Sequence, residues 1–132
     1  MAFGIVIVAH GKIGPCFLET VQRILGENKR LDALEIDWDI DFEDAKQALA
    51  KKIEANRTEQ GVLIFTDMFG GTPNNISLGF YNKPGVEIVS GINLPLLIKA
   101  LTLPESTTVE EAGQLLKMEI PKTIYVAGDL LG

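Results

Sequence analysis

The sequence predicts an α/β fold with a mostly parallel sheet flanked by helices. Apolar runs of strand length alternate with runs of helical spacing along the whole chain, which is typical of this class. The run over residues 3–9 is continuously apolar, as expected for a strand buried on both faces. Glycine-containing turns follow two of these runs, at the place where the strands end. A chain of 132 residues fits one domain, so we expect residues 1–132 to form a single unit.

The elements after the first strand follow from apolar spacing and from end signals. Residues 15–25 place apolar side chains on one face of a helix, which Gly26 ends. Residues 34–36 form a short second strand. Asp41 caps a helix over about residues 42–56.

The second half of the chain repeats this alternation. Residues 61–66 form the third strand. Thr72 is then the N-cap of a helix whose first residue is Pro73, which is a favourable start signal. Residues 86–89 form a fourth strand, and a further helix follows near residues 94–101.

The C-terminal part is predicted to contain one more helix and one more strand. Thr107 and Thr108 each lie three residues before a glutamate, which predicts a capping box for a helix to about Lys117. Residues 123–126 form a short last strand. We place the first four strands in the order 2-1-3-4, which assumes that the first and third strands are neighbours.

Composition and charge exclude several functions. The net charge is −6 and the 12 lysines and arginines are scattered, which argues against binding to nucleic acid. The N-terminal apolar run is too short to span a membrane, so we expect no membrane insertion. The only cysteine, Cys16, can form no internal disulfide and fits a cytoplasmic protein, and we expect its thiol to be buried and inert. One histidine and one cysteine cannot build a usual zinc site, and we expect neither a metal nor a cofactor.

An acidic run precedes the second helix. Asp37, Asp39 and Asp41 imitate the start of a calcium-binding loop, but Phe42 stands where that loop needs glycine. We interpret the run as a solvated turn followed by a helix cap. Trp38 within it is predicted to lie at the rim of the crevice beyond the strands.

The only histidine of the chain, His10, follows the first strand, and Asp67 follows the third. Ligands of such sheets bind beyond the carboxyl ends of the strands, so in the assumed order these two side chains face each other. Imidazole is a nucleophile near neutral pH and also a leaving group, so it can accept a phosphoryl group and release it. A carboxylate on its second nitrogen fixes the tautomer. A structural histidine that only satisfies its hydrogen bonds is the alternative.

Two glycine-containing turns complete the predicted site. Gly11 leaves space beside the imidazole ring. Gly70 and Gly71 allow close approach of the backbone to an anion, and Thr72 adds a hydroxyl donor, so these residues are expected to bind the phosphoryl group. In the alternative interpretation the glycines merely permit a turn.

Three motifs resemble those of the mannose-type IIA component of the bacterial sugar phosphotransferase system. The first strand ends in Ala9-His10-Gly11. The second motif is Asp67-x-x-Gly70-Gly71-Thr72-Pro73-x-Asn75, and the third is Gly91-Ile92-Asn93-Leu94-Pro95. The motifs stand in the family's order and spacing, and the likeness covers nearly the whole chain.

The resemblance implies a function and a set of partners. His10 is expected to receive a phosphoryl group from the phosphocarrier protein HPr and to pass it to a IIB component, with Asp67 orienting the imidazole. The resemblance also implies a homodimer in which C-terminal antiparallel strands, here residues 123–126, exchange between subunits. Because the chain ends at Gly132, we expect the IIB acceptor to be a separate protein.

Two other functions remain open at this point. The chain can be a regulatory module whose phosphorylation at His10 controls a partner protein. It can also be the phosphocarrier of a dihydroxyacetone kinase. The sequence does not indicate which sugar, if any, the system transports.

Overall fold

Four parallel strands form one sheet in the computed structural model, which describes residues 1–132. The strands are β1 (Gly4–His10), β2 (Leu31–Ile36), β3 (Val62–Thr66) and β4 (Val86–Ser90). Their order is β2-β1-β3-β4, so the predicted order 2-1-3-4 is confirmed, including the assumed contact between the first and third strands. β2 is longer than predicted, since it begins at Leu31 rather than at residue 34.

Helices cover both faces of this sheet. They are α1 (Ile13–Leu25), α2 (Phe42–Asn56), α3 (Thr72–Leu78), α4 (Leu94–Thr102) and α5 (Val109–Glu119), followed by a 3₁₀ turn (Ile120–Lys122) and a short α6 (Ala127–Leu131). None of these helices combines the length and the hydropathy that a membrane-spanning helix needs.

The predicted helix caps are confirmed at two positions and wrong at one. The Asp41 carboxylate accepts a hydrogen bond from the Asp44 N–H, and Thr108 forms the capping box with Glu111. Thr72, in contrast, is the first residue of α3, and Gly71 is the N-cap. The N-cap position packs against the His10 ring, where a Cβ atom would come within 2.9 Å of Cε1, so glycine is the residue that fits there.

The strand β1 lies in the middle of the core. Alternate side chains such as Ile5 and Ile7 pack on one face with α1, α4 and α5, while Val6 and Val8 pack on the other face with α2 and α3. No side chain from Ile5 to Ala9 is exposed, as the continuous apolar run predicts. The end of β1 is therefore held from both sides of the sheet.

The prediction that Cys16 is buried is wrong, since its side chain is exposed. α1 begins at Ile13 and turns Gly14 and Val21 toward the sheet. These two residues are seven apart and share one helix face, whereas Cys16 lies off that face. Ile24 and Leu25 are also about half exposed, although their spacing from Val21 places them near the same face; they are the last two residues of α1.

The predicted last strand does not form within the single chain. Residues 123–126 have no strand partner, although Asn93 Nδ2 donates a hydrogen bond to Thr123 Oγ1 at 3.0 Å. Ile124, Tyr125 and Val126 are exposed. A strand needs the backbone of a second strand to satisfy its N–H and C=O groups, and here none lies beside it. Exchange between subunits therefore stays a prediction.

A partly buried network joins β2 to α2 near the amino end of β2, away from the edge where His10 lies. Lys52 Nζ and Asn56 Nδ2 each donate to the Asp32 carboxylate at 3.0 Å. Burial raises the pKa of Asp32, but the hydrogen bonds from Asn56, Lys52 and the Ala33 N–H outweigh burial and bring that pKa below its ordinary value.

Candidate functional site

The sheet brings His10 and Asp67 to the same edge. β1 and β3 are parallel neighbours with Val8 opposite Thr66, so the last residue of β1 lies next to the first residue after β3. The Gly11 N–H donates to the Ile36 carbonyl at 3.0 Å and extends the pairing with β2 past His10. This arrangement confirms the prediction that the His10 and Asp67 side chains face each other at the strand ends.

Asp67 binds the imidazole through its Nδ1 atom. Asp67 Oδ2 lies 2.7 Å from His10 Nδ1 and also accepts the His10 backbone N–H at 3.0 Å. Asp67 Oδ1 accepts the Met68 N–H at 3.0 Å. Both oxygens are thus fixed by backbone donors, and the His10 and Asp67 side chains are only 19% and 10% exposed. The carboxylate has no freedom to turn away from the ring.

The same contacts set the protonation state of Asp67. Burial raises the pKa of its carboxyl, but the hydrogen bonds from the His10 backbone N–H, the His10 ring and the Met68 N–H bring that pKa below its ordinary value. Asp67 is therefore ionised near neutral pH and can only accept hydrogen bonds. In the neutral imidazole the proton then lies on Nδ1, and Nε2 keeps its lone pair.

The glycine turn before α3, formed by Gly70 and Gly71, lies beside the Cε1 and Nε2 atoms of the His10 ring. A Cβ atom at Gly71 would lie 2.9 Å from His10 Cε1 and 3.5 Å from Nε2. Gly70 has a φ of +92°, which favours glycine, and open space surrounds it. The N–H groups of Gly70, Gly71 and Thr72 donate to no backbone carbonyl of the chain. They are free to bind an acceptor near Nε2.

Gly11 and Trp38 lie on the other side of His10. Gly11 has a φ of +52°, and a Cβ atom there would lie 3.9 Å from Trp38 Nε1. The indole of Trp38 stacks on the imidazole with 5.0 Å between ring centroids and 21° between planes. The sequence placed Trp38 only at the rim. In the parallel pairing of β1 with β2, His10 lies opposite Ile36, and Trp38 follows Ile36 by two residues. This register brings the indole within reach of the imidazole.

An open cleft of about 840 Å³ begins at the imidazole. Its wall is mostly apolar and includes Ile13, Cys16, Phe17, Trp38 and Met68. The nearest basic side chain, Lys12, pairs with Glu35 at 3.1 Å, so no unpaired cationic side chain of the cleft faces the ring. No three His, Cys, Asp or Glu side chains converge as metal ligands anywhere in the chain. The arrangement offers a nucleophilic nitrogen, an orienting carboxylate and neutral N–H donors.

The third predicted motif supports the end of β3. The N–H groups of Gly91 and Ile92 both donate to the Thr66 carbonyl at 3.0 Å. Asn93 caps α4 by accepting the Leu96 N–H at 2.8 Å. The motif thereby fixes the residue that precedes Asp67.

Comparison with known proteins shows the family of the chain. The family model of the fructose IIA component of the phosphotransferase system matches residues 4–116. The mannose-specific EIIAB component of Escherichia coli K12 is 33% identical in an alignment of 108 positions, which covers 76% of this chain and 32% of that protein. The chain thus spans about a third of the length of this relative. The fructose-specific EIIA component of Bacillus subtilis is 25% identical over 96% of this chain and 88% of its own.

Solved structures show the same fold. The EIIA component from Streptococcus agalactiae superposes with a TM-score of 0.85 at 24% identity, over 96% of this chain and 98% of its own. The mannose/sorbose-specific IIA subunit from Enterococcus faecalis gives a TM-score of 0.81 at 23% identity, over 96% of each chain. At these identities the likeness speaks for the fold alone.

Proposed function

Because the chain belongs to the mannose/fructose-type IIA family of the phosphotransferase system, we propose that it is a phosphoryl carrier with His10 as the acceptor. One observation carries the proposal: an ionised carboxylate lies 2.7 Å from Nδ1 of the only histidine, at the open edge of the sheet. A histidine with a purely structural role has no need of a carboxylate that two backbone N–H groups hold in place.

The transfer step follows from which nitrogen is free. The Nε2 lone pair of His10 attacks the phosphorus of a phosphohistidine on the donor, for which we propose HPr. The donor's P–N bond breaks as the new P–Nε2 bond forms, and the donor imidazole keeps the electron pair. The Nδ1 proton stays in the hydrogen bond to Asp67, whose charge stabilises the positive ring.

The glycine turn is proposed to receive the phosphoryl oxygens. Gly70, Gly71 and Thr72 supply N–H groups that no carbonyl occupies, and Gly71 brings them close to Nε2. Gly11 is also proposed to border the phosphoryl group, since it follows His10 directly and has no side chain. Neutral donors hold a transferable group less tightly than lysine or arginine side chains, which suits a group that must leave again.

We propose a IIB component as the acceptor, with the same step run in reverse. The apolar wall of the cleft supports a protein partner, since much of Trp38 and Met68 is exposed there. We also propose a cytoplasmic homodimer in which residues 123–126 pair with the partner subunit, because three of these residues, Ile124, Tyr125 and Val126, are large and exposed.

Intact-protein mass spectrometry tests the proposal. The protein is incubated with phosphoenolpyruvate, enzyme I and HPr, and we expect an acid-labile adduct of one phosphoryl group. His10→Gln should show no adduct. Cys16→Ser, which changes the same cleft and leaves the imidazole intact, should be modified like the wild type. A phosphoryl adduct on folded His10→Gln protein would overturn the proposal that His10 is the acceptor. The absence of an adduct on the wild-type protein, in a reaction where HPr is phosphorylated, would overturn it too.

A further inference from the structure

We propose that Trp38 is a positioning residue for phosphoryl transfer, which holds the His10 imidazole by stacking on one of its faces. The inference rests on the proposed function, since it assigns a role at the same ring. It goes beyond the pair of His10 and Asp67 because it adds a contact perpendicular to the imidazole plane. The sequence offers no second tryptophan that can take this place.

The geometry of the stack is that of a favourable aromatic pair. The centroids are 5.0 Å apart and the planes differ by 21°, which is an offset-stacked arrangement. The indole therefore covers one face of the imidazole and does not block the ring edges that carry Nδ1 and Nε2. Asp67 holds one of these edges at Nδ1, and Gly71 approaches the other near Nε2.

Burial does not explain the position of Trp38. Its side chain is 83% exposed, so it contributes little to the core. Its backbone is nevertheless fixed on both sides. The Ile40 N–H donates to the Asp37 carbonyl at 3.2 Å and closes a turn around it, and Asp41 caps α2 directly after that turn. An exposed aromatic ring on a fixed turn, with its contact on the reactive group, points to a role at that group.

The stack removes a motion that Asp67 alone permits. One hydrogen bond at Nδ1 allows the imidazole to swing about that contact and to carry Nε2 away from the glycine turn. A ring face packed on indole resists this swing because the two planes would have to separate. The indole face also attracts positive charge, which develops on the imidazole when Nε2 takes the phosphoryl group.

A small phosphoryl donor separates positioning from partner docking. Phosphoramidate transfers its phosphoryl group directly: its P–N bond breaks, the P–Nε2 bond forms, and ammonia leaves. We expect Trp38→Ala to react about 3- to 10-fold more slowly than the wild type, the range that an aromatic pair supports. Trp38→Phe keeps a stacking ring and should restore the rate to within about 2-fold. Tyr81→Ala removes an exposed aromatic ring outside the cleft and should react like the wild type.

NMR of the unphosphorylated protein provides a second readout. The only histidine gives one pair of imidazole C–H resonances, which need no assignment among alternatives. Stacked indole should shift them upfield, Trp38→Phe should keep part of this shift, and Trp38→Ala should abolish it.

The outcomes distinguish this inference from the proposed function. Equal rates for wild type and Trp38→Ala with phosphoramidate, or histidine resonances that Trp38→Ala does not move, would overturn the role of Trp38. A wild-type protein that takes no phosphoryl group from either HPr or phosphoramidate would overturn the proposed function, while the resonances still report on the stack.

Discussion

The substitution Asp67→Asn removes one charge from the site and changes few atoms. In the wild type, Asp67 Oδ2 accepts hydrogen bonds from the backbone N–H and the ring Nδ1–H of His10, and Oδ1 accepts one from the Met68 backbone N–H. An amide cannot reproduce this pattern, because its NH₂ group must face one of the two backbone N–H groups. If the NH₂ group faces His10, it donates to Nδ1, and the proton of the imidazole moves to Nε2. That tautomer has no lone pair on the atom that attacks.

The charge itself gives the size of the effect. At the 2.7 Å between Asp67 Oδ2 and His10 Nδ1, unit charges attract by about 1.5 kcal/mol at the dielectric constant of water and about 6 kcal/mol at an effective value near 20. The two side chains are 10% and 19% exposed, so the attraction lies between these limits. Taking about 3 kcal/mol, loss of the charge slows transfer roughly 100-fold.

Quenched-flow measurement of one turnover from phospho-HPr tests this estimate. Asp39→Asn is the matched control, since it removes a charge from an exposed position in the acidic run after β2. We expect a rate close to that of the wild type for the control and a roughly 100-fold loss for Asp67→Asn. A rate for Asp67→Asn within about 3-fold of the wild type would refute the orienting role of the carboxylate. An equal loss in both variants would assign the effect to net charge rather than to the contact.

Three further predictions concern the turn, the sheet edge and the C-terminus. Gly71→Ala should displace the His10 ring, because the new Cβ atom would lie 2.9 Å from His10 Cε1. We expect this variant to lose most phosphoryl uptake while its circular dichroism spectrum stays unchanged, and normal uptake would contradict the close packing of Gly71 on the ring. Asp32→Asn should lower the free energy of unfolding by about 1 kcal/mol at pH 7. The folded-state pKa of Asp32 is depressed, so the difference in unfolding free energy between wild type and variant should be fully present above the unfolded-state pKa of about 4. It should vanish as the pH falls through the folded-state pKa. Denaturant titrations at several pH values check this dependence. A chain cut after Thr123 loses no buried residue, so it should stay folded but elute as a monomer in light-scattering chromatography; a dimer would contradict strand exchange.

The parallel sheet could be predicted from the sequence, because short patterns record the alternation of buried strands with helices. The order 2-1-3-4, and with it the meeting of His10 with Asp67, rested on the assumption that the first and third strands are neighbours, which the structure confirms. Parallel strands expose their carboxyl ends at one edge, so residues that follow two neighbouring strands must come together. The Asp41 and Thr108 caps were also predictable, because a cap is a local hydrogen bond within a few residues.

The features that sequence analysis missed depend on distances between separate segments. Cys16 is exposed because it lies off the face of α1 that carries Gly14 and Val21, and the prediction of burial rested on the apolar character of the thiol rather than on that face. The stack of Trp38 on His10 depends on the register between β1 and β2. The need for glycine at residue 71 comes from the nearby imidazole, which no local pattern contains. Residues 123–126 lack a strand partner within one chain, so their pairing cannot be judged from it.

Nitrogen-15 and phosphorus-31 NMR of the protein phosphorylated through HPr tests the central claim most directly. With a single histidine, the spectra identify both the modified residue and the modified nitrogen. Since Asp67 binds Nδ1, we predict a phosphoryl group on Nε2 of His10 and a proton on Nδ1. A phosphoryl group on Nδ1, or on any residue other than His10, would contradict the arrangement proposed for this site.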